Sequence, residues 1–251
     1  MRVTALTTFD EFARVAGEDP AVVGLVLIGS QAHEGLVTQY SDHDLWVILA
    51  DGAASDLQSL HGYRSARLDL VVISLSQFRT AGMPGFARYA LARSRVVLDR
   101  LDGEITAIIT AKQRFGEAES RDLVAAHLGE YLNLLYRSAK SYRDGLMLAY
   151  RLDAAESIGP ALDLLFAMDR RPRPYNKYLE WELANFPLLG WDTTALLETI
   201  GAINATGDVG LQHRFFEQIA SKVRDFGLGA ELDEWSDELE PVLPAATDTP
   251  A

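Results

Sequence analysis

Two aspartates one residue apart, Asp42 and Asp44, open a β-branched run in the segment GLVLIGSQAHEGLVTQYSDHDLWVILA, and Gly29-Ser30 ends the run before it. On a strand, side chains two apart face the same way, with Cα atoms ~6.6 Å apart. Asp42 and Asp44 therefore point together, and His43 points away and is read as packing. A third acid, Asp69, stands near the start of LDLVVIS (68–74). If the two strands are neighbours, its carboxylate joins the pair. Three carboxylates in one place repel: at ~5 Å and an effective dielectric of ~20, each pair costs about 3 kcal/mol. Retained protons or a hard dication must offset that. Mg²⁺ suits a carboxylate cluster with open positions for water and phosphate oxygens. Two such ions about 3.5–4 Å apart can activate an attacking oxygen and stabilise a leaving one. Gly29 lets backbone approach a phosphate closely, a helical turn after it would present free N–H groups to an anion, and the Ser30 hydroxyl can donate. The pattern GxxxxGK[ST] of a Walker loop is absent.

Those residues need a sheet to hold them. Residues 24–29, 44–50, 68–74 and 94–99 read as strands, and residues 7–19 and 76–93 as helices. Strands alternating with helices indicate an α/β arrangement over residues 1–115. Asp99, at the end of the last strand, is read as structural. From residue 117 the pattern turns helical. Leu123, His127, Leu128, Tyr131, Leu134 and Leu135 recur at spacings of three and four within one expected helix, 119–150, with Ser120 as its cap. Further helices are expected at 154–169, with Gly159-Pro160 marking a start or kink, and at 177–186, 192–204, 209–226 and 233–240; residues 170–176 read as a loop. The fold class is thus α+β: a small mixed-sheet domain (1–115), an all-α bundle (116–240) and a disordered tail (241–251).

Composition sets outer bounds. The chain has 251 residues, 48% of them hydrophobic, which is enough for a core, and no cysteine, which excludes disulfides, thiolate zinc sites and Cys nucleophiles. A formal net charge of −13 disfavours nucleic acid as a partner and attracts cations. No apolar stretch approaches the ~18 residues of a membrane span, so a cytoplasmic protein with no membrane partner is expected. Monomer and homodimer both stay open.

Gly29-Ser30, the spaced Asp42-His43-Asp44 and the later Asp69 together resemble the DNA polymerase β-like nucleotidyltransferase superfamily, over roughly residues 20–75. The resemblance implies Mg²⁺ on Asp42, Asp44 and Asp69, the last completing the metal site or accepting the acceptor's proton. It also implies that Gly29 and Ser30 hold the β and γ phosphates of ATP. One departure matters: many relatives carry Arg or Lys soon after the serine, where this chain reads QAHEG (31–35), so triphosphate charge must be met elsewhere. His33, in that stretch, lies in the expected phosphate turn and could touch the nucleotide, with a surface role as the preferred reading.

The helical half, through RLDAAESIGPALDLLFAMDRRPRPYNKYLEWEL (151–183), looks like the C-terminal domain of aminoglycoside nucleotidyltransferases. The resemblance implies that acids there hold a cationic acceptor and that a lysine reaches the triphosphate. Glu156 and Asp163, seven apart, share a helix face, with Asp153 one turn before; an ordinary solvated face is the other reading. Lys177, one of only four lysines, is the expected triphosphate contact, and Arg170, Arg171 and Arg173 could contribute. Three functions share these residues: transfer of AMP from ATP to a hydroxyl of a small cationic acceptor, adenylylation of a partner protein as toxin–antitoxin nucleotidyltransferases do, and non-catalytic NTP binding.

Overall fold

The computed structural model describes residues 8–239 apart from 84 and 86. They fall into two units that divide between Arg114 and Phe115. The fold is α+β: a four-stranded mixed sheet with helices, followed by an all-helical unit.

In the first unit, helix α1 (Phe9–Glu18) begins where the Thr8 hydroxyl accepts from Glu11 N–H. Strands β1 (Val22–Ile28), β2 (His43–Leu49) and β3 (Leu68–Ser74) follow, then α2 (Leu75–Thr80), α3 (Ala87–Ala92), β4 (Arg95–Asp99) and α4 (Glu104–Lys112). The sheet order is β3-β2-β1-β4. β1 runs antiparallel to β2 and β4, and β2 runs parallel to β3. The sequence VVGLVLI has no polar face because β1 is central and covered on both sides. Alternate residues Leu25, Leu27, Leu45, Val47, Leu68 and Leu70 pack on Phe12 and Ala16 of α1. Val26 and Ile48 turn the other way, onto Phe78 of α2, Leu91 of α3 and Ile105 and Ile109 of α4. Each such buried aliphatic side chain contributes about 1.5–3 kcal/mol.

The expected helix 76–93 is two helices. Gly82, at φ +71°, breaks the run, and a side chain there would strike the backbone of Arg88. Helix α4 occupies residues that the strand-and-helix pattern leaves unassigned. Its last residue, Lys112, is fully buried and donates to the carbonyls of Arg79 and Ala81, 2.9 Å each, at the C-terminal end of α2. Burial first, and the Arg88 guanidinium second, hold its ammonium below the usual lysine range. Asp99 is structural as expected: it accepts from the N–H groups of Leu101 and Thr106, fastening β4 to α4.

The second unit opens with a helical hairpin, α5 (Glu117–Arg143) and α6 (Met147–Met168). The single helix expected over 119–150 ends instead at Arg143. Gly145 is left-handed, at φ +75°, and Leu146 N–H bonds Ser141 C=O at 2.8 Å, which closes the helix end and reverses the chain. Ser120 is not the cap. Gly116 is, with the Glu119 carboxylate accepting from its N–H, and Ser120 is buried and donates to Ala167 C=O at 2.7 Å. At the other end Ser138 donates to Tyr150 C=O at 3.0 Å. These two bonds tie start to end and end to start, as an antiparallel pair requires. Gly159-Pro160 lies inside α6 rather than at its start. Helices α7 (Leu179–Asn185), α8 (Thr193–Thr206), α9 (Val209–Asp225), α10 (Gly229–Asp233) and α11 (Ser236–Leu239) complete the unit around a core with Leu128, Leu135, Leu165, Leu196, Phe215 and Ile219. The tail expected to be disordered, 241–251, lies outside the described residues. Among the described residues no helix is long and apolar enough to cross a membrane.

Tyr131 sits in this core with its hydroxyl unpartnered among the described residues, and its ring meets Phe215 edge-on at 6.4 Å. Burial pushes its phenol well above the usual range. Tyr131→Phe deletes the orphan hydroxyl and keeps the ring contact. It is expected to leave stability unchanged or raise it by about 1 kcal/mol in urea unfolding, since an unmade buried hydrogen bond costs about 1–3 kcal/mol.

Candidate active site at one end of the sheet

β1 ends at Ile28, and β2 and β3 both begin at the same end of the sheet. The register fixes what meets there. Ile28 pairs with Asp44 across β1 and β2, and Asp44 pairs with Asp69 across the parallel β2 and β3. Paired positions of neighbouring strands share a face, so Asp44 and Asp69 stand side by side. The face is that of Trp46 and Ile48, the α2 and α4 side of the sheet. His43 turns to the other face and stacks on Phe9, with ring centroids 4.6 Å apart, which is the packing role expected for it.

Gly29 begins a short 3-10 turn, Gly29–Ala32, with φ +72°. A Cβ at this position would fall inside contact distance of Asp44 Oδ2. The glycine is thus required twice, for its left-handed backbone and for the room it leaves the carboxylate. Gly29→Ala is expected to cost about 1–2 kcal/mol from backbone handedness alone and to displace Asp44 besides. Chemical denaturation reads the first effect, and any loss of activity beyond it reads the second.

Ser30 is buried, and its hydroxyl donates to Ser41 Oγ at 3.0 Å. Ser41 Oγ also accepts from Thr38 N–H at 3.0 Å, so the pair ties residues 38–41 to the turn. The hydroxyl expected to meet a phosphate here donates within its own loop. His33 is not a surface residue: it is 1% exposed, with Nδ1 2.7 Å from Gly29 C=O and Nε2 3.3 Å from Tyr89 Oη. It holds the carbonyl that follows the strand. The mostly polar stretch QAHE (31–34) disguises this, because the signal is a long-range contact with Tyr89 in α3.

Asp69 has a partner that sequence reasoning missed. Residues 62–64 fold back on β3: Gly62 N–H bonds Leu70 C=O and Leu70 N–H bonds Tyr63 C=O, 2.9 Å each. That places Arg64 Nε 3.2 Å from Asp69 Oδ2, although the Arg64 side chain is 81% exposed. An ion pair this open is worth at most about 1 kcal/mol, so it partners the carboxylate without locking it. The readable hint was the short RSAR turn (64–67) just before the strand.

Asp42 lies one residue outside β2 and is half-buried. Among the described residues no group of three or more His, Asp or Glu side chains stands together as a metal-holding cluster. Asp42, Asp44 and Asp69 therefore do not form a ready-made cage; Asp44 and Asp69 are the pair that the sheet brings together. Their chemistry fits Mg²⁺, which is commonly held by one or two carboxylates with water and phosphate oxygens filling the rest. The room over Gly29 for the Asp44 carboxylate is consistent with that donor set.

In the helical unit the expected acidic stripe is divided. Asp153 is buried and pairs with Arg137 at 3.1 Å. Burial pushes its carboxyl up, Arg137 opposes that, and Glu156 adds to it. Asp163 pairs with Arg173 at 3.0 Å. Glu156 is exposed and lines a groove of about 490 Å³ with Arg173, Asn176 and Glu180, over an apolar floor of Leu162, Leu179 and Ile200. Lys177 is exposed on a 3-10 turn, its Nζ 5.3 Å from the Tyr178 ring centre. The neighbouring arginines are used within the unit. Arg170 Nε donates to Phe115 C=O, Arg171 bonds Glu182 and Asp169, and Arg173 also donates to Asn176 Oδ1.

Fold and site together define an α+β protein with two acids side by side at the end of a mixed sheet, next to a glycine turn. No protein-family model matches the chain, and no curated protein does. Among solved structures it is similar to a nucleotidyltransferase-like protein from Exiguobacterium sibiricum 255-15, at 12% identity and a TM-score of 0.40, with 92% of this chain and 88% of that one covered. A likeness of that size assigns neither family nor activity.

Proposed function

We propose that this protein is a Mg²⁺-dependent nucleotidyltransferase that moves AMP from ATP to a hydroxyl of a small cationic acceptor, with pyrophosphate leaving. The single observation that carries the reading is the Asp44–Asp69 register pair beside Gly29. Two hard carboxylates over a glycine turn suit a phosphate-bound dication.

In this reading Asp44 and Asp69 hold the ion, and Asp42 is the third donor. Bound Mg²⁺ would neutralise charge developing on the transferred phosphate. Asp69 would also orient the attacking hydroxyl or take its proton, and Arg64 lies against the same carboxylate. The Gly29 turn brings backbone close to the β and γ phosphates. Lys177 is the proposed triphosphate contact, and Glu156, with Asp153 and Asp163 behind it, the proposed acceptor-binding side. Since Asp153 and Asp163 are paired with arginines, Glu156 carries most of that role.

The test is pyrophosphate release by the purified chain with Mg²⁺ and ATP, with and without kanamycin or streptomycin. Release that depends on the amine sugar supports the reading. Labelling of a protein in place of any sugar would move the acceptor to a partner protein, and ATP binding without turnover would leave a nucleotide-binding module.

A further inference from the structure

The helical unit has a second groove, of about 690 Å³, between α8, α9 and the turn before α8. Two acids and two cations line it, and their states differ. Asp192 is used as the cap of α8, its Oδ1 accepting from Ala195 N–H at 2.8 Å. Glu217 faces His213 one turn back, 3.8 Å away. Lys222 and Arg214 have no carboxylate within 4.0 Å among the described residues. In a chain of net charge −13 with four lysines, two uncommitted cations on one groove are unexpected, because acids are the abundant partner.

Lys222 is also placed, not merely exposed. It is half-buried, and its Nζ rests against Gly190, where φ is +72° and any Cβ would collide with the ammonium. Beside it Trp191 forms a rigid wall, held edge-on against Phe215 with centroids 5.9 Å apart. Leu196 supplies apolar floor. An indole wall, an apolar floor and a positioned ammonium match a ligand with a flat apolar body and one anionic head.

We infer that this groove binds a small organic anion, a carboxylate or phosphate monoester on a flat apolar body, with Lys222 on the head, Trp191 against the body and Arg214 adding positive potential further along the groove. The inference does not rest on the proposed transfer reaction.

Calorimetric titration of the full chain with benzoate, phenyl phosphate, inorganic phosphate and uncharged benzamide tests it. Benzoate or phenyl phosphate is expected to bind with Kd below about 1 mM; whichever binds tighter identifies the head group. Inorganic phosphate should bind more weakly for want of the body, and benzamide for want of the charge. Lys222→Gln is expected to weaken binding at least about tenfold and Arg214→Gln by a smaller factor. Unliganded melting temperatures are compared first, and if one variant unfolds the other decides. No binding by about 10 mM, benzamide binding as tightly as benzoate, or affinity unchanged in the folded variants overturns the inference.

Discussion

On the proposed reaction, Asp44→Asn is expected to reduce Mg²⁺-dependent pyrophosphate release by about a thousandfold or more, as several kcal/mol of transition-state stabilisation would go with the proposed metal ligand. The same variant, in buffer with chelator, is expected to melt at the wild-type temperature or above it. The reason is the register: Asp44 and Asp69 are neighbours across β2 and β3, so neutralising one removes like-charge repulsion from a folded sheet. Asparagine has the same shape, so the fit over Gly29 is kept. Mg²⁺ should raise the melting temperature of the wild-type chain and not of the variant, because a ligand that binds only the folded form stabilises it in proportion to its affinity. A variant that instead melts several degrees lower without metal would make Asp44 a structural group and remove the reaction centre from this end of the sheet.

Glu182→Ala is expected to be the most damaging substitution for folding. Glu182 is fully buried in α7, and its carboxylate accepts from Arg171 at 2.9 Å. Arg171 is itself mostly buried, with further bonds to Asp169 at 2.6 Å and Phe186 C=O at 2.9 Å. Its guanidinium also lies over the Phe166 ring, 5.5 Å from the centre. Removing the glutamate leaves a buried guanidinium short of a partner, which costs about 3–5 kcal/mol. The double variant Glu182→Leu with Arg171→Leu should recover more than half of that loss in denaturant unfolding, because the two most deeply buried charges go together and only the partly exposed Asp169 carboxylate loses a partner. A double variant no more stable than Glu182→Ala would mean that the network does more than neutralise one charge, for instance by holding the turn at residues 169–176 in shape.

These two sites differ in how far the sequence alone announces them. Asp42, Asp44 and the Gly29 turn stand out because they interrupt apolar runs, and the period of two along a strand separates His43 from the acids without any tertiary information. Arg171 and Glu182 gave no such signal. Arginine in RRPRP (170–174) suggests an exposed cationic loop, and only the chain's return through α7 supplies a buried acid for it. The same holds for the acidic stripe on α6: helical spacing places Glu156 and Asp163 on one face, but that face meets Arg173 from a loop ten residues on, and Arg137 from α5 reaches Asp153.

Local pattern alone therefore determined the four strands, the change from mixed to helical structure near residue 115, and the acids that could do chemistry. Those properties follow from the alternation and spacing of neighbours in the chain, which are set before any distant contact forms. Tertiary structure decided the rest: that β2 and β3 lie parallel in a register pairing Asp44 with Asp69, that Arg64 folds back onto Asp69, that Ser30 and His33 are bonded inward, and that Lys222 lies against Gly190. Each of these joins residues that only packing brings together, and sequence spacing does not encode which cation meets which acid once the chain has folded.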